Sequence, residues 1–155
     1  GQLGTDPEPT VFGSDEMPIG VAICYESVYG EFYADFVRRG AKVMSVITND
    51  GWWGKTNGHR QHFSYSRLRA IETRRSVARS ANTGISGFID PRGRVISSIG
   101  WDERGVLTAE VPVESRLTLY TRYGDYIARL SCYLLLLCAL YYVAYRIRRR
   151  NHLVN

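Results

Sequence analysis

A free thiol and a carboxylate follow a short apolar run near the start of the chain, in the stretch GVAICYES. Cys24 closes the apolar run and Glu26 lies two residues further on. A cysteine at such a junction can act as a nucleophile, with the next backbone N–H aimed at an oxyanion, or it can be a small buried apolar residue. Glu26 could shape such a site or only cap the turn. The stretch by itself leaves these alternatives open.

Two histidines and two tryptophans are the next candidates for chemistry. His59 and His62 are three residues apart, but no cysteine or carboxylate joins them at zinc-like spacing. We therefore predict no metal site, and packing or capping at a helix start. Trp52 and Trp53 lie in the glycine-rich loop NDGWWGK. Their rings could belong to the core, form a wall beside the thiol, or dip towards lipid.

Five arginines lie close together in a chain whose formal net charge is +5, a balance that permits nucleic acid as a partner. They are Arg67, Arg69, Arg74, Arg75 and Arg79. Their positions spread around a predicted helix, and Glu72 stands three residues from both Arg69 and Arg75, which favours ion pairs. We therefore predict a solvated, salt-bridged helix and no nucleic-acid partner.

The elements around Cys24 are predicted to form a strand–helix–strand unit. Continuous apolar runs at residues 19–24 and 43–48 predict two buried strands. Between them, apolar residues at helical spacing predict a helix over about residues 29–39, which Ser27 would cap and Gly40 would end. This order favours parallel strands joined by a right-handed crossover, so the predicted fold class is α/β.

Further along the chain, the pattern predicts a long helix, a hairpin and one more strand. The helix is predicted over about residues 61–80. Its apolar stripe consists of Phe63, Ala70, Ile71, Val77 and Ala78. The turn DPRG predicts a hairpin between residues 84–89 and 94–99, and residues 106–111 predict a strand. Residues 1–17 are rich in Gly, Pro and acids and are predicted to be a loop.

The last part of the chain is apolar enough to cross a membrane. Residues 127–145 read IARLSCYLLLLCALYYVAY, with Arg129 as the one charge, and the cluster RIRRR follows. A spanning helix needs roughly 17–25 residues, and tyrosines flank this one as in an interfacial belt. We predict a globular domain at 1–125, a transmembrane helix at 126–145 and a basic cytoplasmic tail at 146–155. A buried core helix is the alternative.

The cysteines fit an outward-facing domain that holds one unpaired thiol. Cys132 and Cys138 lie six positions apart in the predicted membrane helix, too far apart to form a disulfide. Cys24 is then alone in a compartment that favours disulfides, where an unused free thiol is a liability. The chain opens without methionine or an apolar export segment. We therefore expect it to be the C-terminal part of a longer protein.

Several stretches together resemble one family. They are ICYES, TNDGWWGK, RQHFSYSRLRAIETRRSVARSANTGISGFIDPRGRV and YTRYGDY, followed by a single membrane helix. In combination they resemble the apolipoprotein N-acyltransferases, which are membrane-bound members of the nitrilase (carbon–nitrogen hydrolase) superfamily. The resemblance extends from about Val21 to the basic tail.

The resemblance implies a fold, a reaction and a location. The fold would be the C-terminal half of a four-layer αββα sandwich followed by one transmembrane helix. The reaction would move an acyl chain from a phospholipid, through a cysteine thioester, to the N-terminal cysteine amine of an apolipoprotein. The enzyme would lie in the bacterial inner membrane, with the catalytic domain in the periplasm and the C-terminus in the cytoplasm. We expect no cofactor and a monomer.

The resemblance also implies roles for individual residues. Cys24 matches the nucleophile, and Tyr25 and Glu26 match the two following residues that the family needs for activity. Trp52 and Trp53 fall in the aromatic loop beside the site, where we expect them to contact substrate.

One more match and one departure complete the comparison. Glu72 matches the helix glutamate of the family, which we interpret as structural support. The family's base glutamate and its lysine precede the cysteine, whereas only 23 residues precede Cys24 here and none is a lysine. Lys42 and Lys55 follow Cys24 and do not match. The chain alone is therefore expected to be inactive.

Two other functions stay open at this point. The first is a membrane-anchored amide or nitrile hydrolase of the same superfamily, which would pass the acyl group to water. The second is a non-catalytic anchoring module in which Cys24 only fills the core. Thiol reactivity would separate the anchoring module from the acyltransferase and the hydrolase, because a buried structural cysteine is inert.

Overall fold

The computed structural model describes residues 8–152, which fall into two compact units that divide after Gly124. The elements of the first unit are β1 (Val11–Gly13), β2 (Pro18–Ile23), α1 (Gly30–Arg38), β3 (Val43–Thr48), α2 (Gly58–Thr73), β4 (Ser76–Ala81), β5 (Ser86–Ile89), β6 (Val95–Ile99) and α3 (Leu119–Tyr123). Two 3₁₀ turns, Cys24–Val28 and Asp50–Trp53, follow β2 and β3. The second unit is described by one helix, α4 (Tyr126–His152).

The first unit is built on one six-stranded mixed sheet in the order β1-β2-β3-β4-β5-β6. Strands β2, β3 and β4 are parallel, whereas β1, β5 and β6 pair antiparallel with their neighbours. The predicted strand–helix–strand unit and its parallel pairing are confirmed. The α/β fold class is therefore confirmed as well. Both 3₁₀ turns begin where a parallel strand ends, so they meet at one edge of the sheet.

One face of the sheet carries the core. Strand residues that pair across the sheet on this face, such as Met44 and Val77, are fully buried. They pack against the buried faces of the helices in a single apolar cluster that includes Phe36 and Phe63. This alternation arises because successive side chains of a strand point to opposite faces. The opposite face of the sheet leaves Ile23 and Ile47, which are register partners, about half exposed.

The predicted helix over residues 61–80 is wrong in its last third. Helix α2 ends at Thr73, Arg74 adopts a left-handed conformation with φ of 53°, and residues 76–81 form β4. The stripe prediction assigned Val77 and Ala78 to the helix, yet they pair with Met44 and Ser45 of β3. Pairing on both edges of a central strand outweighs the helix propensity of SVARSA.

The same correction applies to the arginines. Arg69, Arg75 and Arg79 are 5%, 2% and 4% exposed, so these three do not lie on a solvated surface. Arg75 donates from Nε to the Ala41 carbonyl at 2.8 Å and from Nη1 to the Arg116 carbonyl at 3.0 Å. A guanidinium carries five N–H donors in a planar fork, so several backbone carbonyls can satisfy it when it is buried.

Three further sequence expectations are wrong. Residues 106–111 form no strand, and Val106 is 93% exposed. The loop that was predicted over residues 1–17 contains β1, which pairs with β2. Ser27 does not cap α1, because Tyr29 holds the N-cap position and Ser27 lies inside the first 3₁₀ turn. For β1 the pairing with β2 decides the local structure, and a pattern read along the chain does not contain that information.

The hairpin and the end of α1 follow the predictions. Strands β5 and β6 are joined through Asp90 and Gly93, whose φ is +76°, a value that glycine adopts without strain. The Asp90 carboxylate accepts from the backbone of Arg92 and Arg94, both at 2.8 Å, and this fixes the turn. Gly40 follows the last turn of α1 with φ of +106°, as expected of a glycine that ends a helix.

The second unit is an apolar helix. Among the described residues, α4 is the one helix long and apolar enough to cross a membrane, over Tyr126–Arg149 with a mean hydropathy of 1.8, and none of the apolar window is buried. At its start, the Asp125 carboxylate accepts from the backbone of Ala128 at 3.0 Å. An acidic group there also suits the positive end of the helix dipole.

Candidate active site at the Cys24 turn

Cys24 sits on a strained turn at the edge of the sheet. It follows β2 directly, opens the first 3₁₀ turn and has φ of +52°. A left-handed conformation in a residue other than glycine costs about 1–3 kcal/mol and persists where the surroundings hold it. The thiol is unpaired and partly buried. Strained residues of this kind occur preferentially at functional sites, so the turn is the first candidate for chemistry.

Two side chains hold the Cys24 turn from within. The backbone N–H of Ile23 donates to Oε2 of Glu26 at 2.7 Å, and the Ser27 hydroxyl donates to the Cys24 carbonyl at 2.8 Å. Glu26 is therefore folded back onto the backbone that precedes the thiol. Tyr25 is half exposed, and its ring lies 5.9 Å from that of Tyr29 in an edge-on contact. The catalytic roles predicted for Glu26 and Tyr25 stay predictions.

A buried polar cluster lies under this turn, and the sequence did not predict it. Its four members are Ser27, Asp50, His62 and Arg79. Nε2 of His62 lies 3.2 Å from the Ser27 hydroxyl, and its Nδ1 lies 2.8 Å from Oδ1 of Asp50. Nη2 of Arg79 donates to Oδ2 of Asp50 at 2.7 Å. All four residues are no more than 4% exposed, so the cluster has little competition from water.

Different elements deliver the members of the cluster. Asp50 opens the 3₁₀ turn after β3, His62 faces inward from the first half of α2, and Arg79 is the register partner of Val46 on the core face of β4. The Thr48 hydroxyl also donates to Asp50, at 3.0 Å. In the sequence, the two histidines indicate only the start of a helix. The partner Arg79 is not recognisable there, because the pattern predicts that residues 76–80 continue the same helix.

Asp50 is held as an anion by its neighbours. Burial works to raise the pKa of its carboxyl, but hydrogen bonds from His62 and Arg79 and the charge of Arg79 outweigh burial and lower that pKa. Burial lowers the pKa of Arg79, and the Asp50 charge opposes that effect. A buried carboxylate that accepts from charged donors stays ionised. The cluster therefore places an ion pair directly beneath the nucleophile candidate.

The two tryptophans are placed differently. The Trp53 ring lies 5.2 Å from the His62 ring in an edge-on contact, and a Cβ on Gly58 would stand 2.7 Å from Trp53 Cγ. Trp52 is 86% exposed. Trp53 thus covers the polar cluster, whereas Trp52 projects outward. A substrate-binding role stays a prediction for both residues.

Glu72 lies in the last turn of α2 and forms the ion pair with Arg69 that the spacing predicts, at 2.8 Å. Arg69 in turn lies against Gly30 at the start of α1, where a Cβ would overlap both the guanidinium and the Tyr120 hydroxyl. Glu72 therefore acts through Arg69 on the packing of α1, α2 and α3. The structural role assigned to it remains a prediction.

His59 and His62 contact different partners. His62 is used in the cluster, and the His59 ring packs on Trp101 with ring centroids 4.4 Å apart. Among the residues that the structure describes, no group of three or more histidine, cysteine or acidic side chains could hold a metal ion.

Residues 3–118 match the carbon–nitrogen hydrolase family. The chain belongs to that family. Within it, this carbon–nitrogen hydrolase chain is similar to proteins named apolipoprotein N-acyltransferase. It is 48% identical over 113 residues to that of Chlorobaculum tepidum, which covers 72% of the chain and 21% of the relative. It is 38% identical over 125 residues to that of Thermotoga maritima, which covers 79% of the chain and 24% of the relative.

The carbon–nitrogen hydrolase chain thus spans about a fifth to a quarter of the length of these relatives. Among solved structures it is similar to Nit3 of Saccharomyces cerevisiae, a member of the nitrilase superfamily, with 24% identity and a TM-score of 0.54 over 66% of the chain and 40% of that protein. It is also similar to an amidase from Nesterenkonia sp., with 20% identity and a TM-score of 0.53 over 66% of the chain and 41% of the amidase. These likenesses confirm the nitrilase-type fold.

Proposed function

We propose that this chain is the nucleophile-bearing part of an apolipoprotein N-acyltransferase. The observation that carries the proposal is the strained Cys24 turn, with its free thiol at the edge of the parallel strands. Its support comes from the relatives of that name, one of them 48% identical over most of the chain. A nitrilase-type fold alone would not select this activity, because one fold carries many functions.

The proposed reaction has two steps. The Cys24 thiolate attacks the ester carbonyl of a phospholipid, the carbon–oxygen bond breaks, and a lysophospholipid alcohol leaves with a proton. The N-terminal amine of an apolipoprotein cysteine then attacks the thioester, an amide forms, and the thiol is restored. Dividing the transfer between two easier steps is the general benefit of covalent catalysis. Neither step calls for a cofactor or a metal.

The base and the cation for this chemistry are proposed to come from outside this chain. Lys42 is placed before β3, at the opposite end of the parallel strands from Cys24, and its Nζ donates to the Glu16 carbonyl at 2.8 Å. Glu26 is engaged by the Ile23 backbone. The family resemblance implies a separate glutamate and lysine that precede the cysteine. We therefore expect this chain by itself not to turn over substrate.

Helix α4 is proposed to anchor the site at the membrane. Its apolar stretch carries Leu134–Leu137, all more than half exposed, and arginines follow towards its end. An anchor would bring the thiol to a phospholipid donor without a soluble lipid carrier. The arginines favour a cytoplasmic C-terminus, and we propose that the Cys24 domain lies on the periplasmic side of the inner membrane. We propose a division into residues 1–125, 126–145 and 146–155, and a monomeric enzyme that binds no nucleic acid.

The test uses the full-length protein, purified in detergent with phospholipid and without acceptor. Its intact mass is recorded with and without hydroxylamine, for the wild type, Cys24→Ser and the matched control Cys132→Ser. We expect a hydroxylamine-labile acyl adduct that Cys24→Ser abolishes and Cys132→Ser retains. A reactive thiol without an adduct would favour the amide hydrolase, since the acyl group would pass to water. An unreactive thiol would favour the anchoring module.

A further inference from the structure

The Ser27 hydroxyl connects the nucleophile to the buried cluster. It has one hydrogen, which it donates to the Cys24 carbonyl at 2.8 Å. Its oxygen also lies 3.2 Å from Nε2 of His62. Ser27 itself is fully buried, so it is not placed to attack a substrate, although the order Ser–His–Asp looks like a hydrolytic triad.

The second ring nitrogen of His62 also faces an acceptor. Nδ1 lies 2.8 Å from the Asp50 carboxylate, which can only accept when ionised. Nη2 of Arg79 comes within 3.1 Å of the same nitrogen but donates to the other oxygen of Asp50 at 2.7 Å. The Asp50 carboxylate contacts the His62 ring through one oxygen and the Arg79 guanidinium through the other, so the ring is held at both nitrogens. His62 therefore has a fixed orientation.

The chain of contacts ends on rigid parts of the fold. Asp50 is bound to Thr48 at the end of β3, and Arg79 belongs to the central strand β4, where it also donates to the Ser66 hydroxyl at 3.1 Å. The Cys24 backbone is thereby tied to two strands of the sheet. Strain at a nucleophile persists only when its surroundings over-determine it, and this chain of contacts provides that constraint.

We propose that Ser27 and His62 are positioning residues for the acyl transfer proposed above, on which this inference rests: Asp50 orients His62, His62 orients the Ser27 hydroxyl, and that hydroxyl fixes the carbonyl of Cys24 and with it the direction of the thiol. Neither residue touches the acyl group. Their effect is on the geometry of attack. A displacement of about 1 Å at a reacting group can lower a rate roughly 10²-fold, which sets the size of the expected effect.

The first comparison uses two serines in equivalent settings. Ser27 and Ser76 are both fully buried, and both donate to a backbone carbonyl, Ser76 to that of Pro112 at 2.5 Å. In the full-length protein, Ser27→Ala is expected to lower the first-order rate of Cys24 acylation about 10²-fold with the half-saturating phospholipid concentration unchanged. Ser76→Ala is expected to alter thermal stability without that loss of rate.

The second comparison separates the two nitrogens of His62. A glutamine amide can take the place of Nε2 and keep the contact with Ser27, whereas an asparagine amide can take the place of Nδ1 and keep the contact with Asp50. Each variant loses one buried hydrogen bond. We expect His62→Gln to retain an acylation rate nearer the wild type than His62→Asn does. Because His62 acts through Ser27, the Ser27→Ala/His62→Asn double variant should be no slower than Ser27→Ala.

The outcomes distinguish this inference from the proposed function. If wild type forms no acyl adduct, the acyltransferase proposal fails, and the same ranking of variants is then sought in the rate of Cys24 alkylation by iodoacetamide. If Ser27→Ala slows the reaction no more than Ser76→Ala, the positioning role is overturned. The positioning role is also overturned if the fold-loss of acylation rate in Ser27→Ala/His62→Asn equals the product of the fold-losses of its two single variants. It is overturned as well if the loss of rate across the variants only tracks their loss of thermal stability.

Discussion

Replacing Asp50 by asparagine should destabilise the protein more than any change of charge on its surface. The Asp50 carboxylate is fully buried and accepts from Thr48, His62 and Arg79 at 3.0, 2.8 and 2.7 Å. Asparagine keeps the shape but loses the charge, and its amide NH₂ must face one of these donors. Removing one partner of a buried ion pair costs about 3–5 kcal/mol, because the other charge is left uncompensated.

That loss is large beside the total stability of a domain, which is about 5–15 kcal/mol. We would measure guanidinium unfolding of the full-length protein in detergent by tryptophan fluorescence. The matched control is Asp35→Asn, since the Asp35 carboxylate is 28% exposed and pairs with Arg38 and Arg39 on the surface of α1. An exposed pair contributes about 1 kcal/mol or less.

Two results would refute this reasoning. The first is a loss for Asp50→Asn no greater than that for Asp35→Asn. The second comes from the Asp50→Leu/Arg79→Met double variant, which removes both charges. Since the cost arises from an orphaned charge, the double variant should lose less than the sum of its two single variants. Additive losses would mean that the two groups do not depend on each other.

Three further outcomes are expected. Because hydrogen bonds and charge lower the pKa of Asp50 against the effect of burial, its contribution to stability is complete above its unfolded pKa near ~3.9 and is lost as pH falls through the lower folded value. The free energy of unfolding of the wild type should therefore fall more steeply with decreasing pH below about pH 4. The same pH dependence in Asp50→Asn would contradict this. Gly30→Ala should lower the thermal midpoint, since its methyl group overlaps the Arg69 guanidinium; an unchanged midpoint would mean that the start of α1 can move away. In the proposed acyl transfer, Trp53→Ala should raise hydrolysis of the thioester relative to transfer, because the Trp53 ring packs against His62 beneath the Cys24 turn, whereas the exposed Trp52 serves as the control and Trp52→Ala should leave the ratio unchanged. Equal product ratios for the two variants would contradict a role of Trp53 in excluding water.

Much of the fold around Cys24 can be predicted from the sequence because its signals are local. The apolar runs that became β2 and β3 are too short for buried helices, and Gly40 marks the end of α1. The DPRG turn specifies its own hydrogen bonds through the Asp90 side chain. In these segments the local preference and the final fold agree, as they do in most of a natural sequence.

The polar cluster could not be predicted because its members are distant in sequence and ordinary in type. Asp50 follows a strand, His62 lies in a helix without a metal-binding pattern, and Ser27 resembles a helix cap. None of them is unusual until the strands bring them together. A residue with reactive chemistry of its own, such as Cys24 at a strand end, can be recognised from one segment of sequence. A hydrogen-bonded network cannot, because its members come from several segments.

The wrong end of α2 and the missed cluster have one cause. If residues 76–81 continued the helix, as the sequence predicts, Arg79 would share that helix with four other arginines and would be expected to face solvent. Once Arg74 turns the chain through a left-handed residue, the same six residues enter the sheet between β3 and β5. The alternation of β4 then points Arg79 to the core face, where only a buried anion can compensate it, and Asp50 is that anion. The fold of this strand thus determines the charge beneath Cys24.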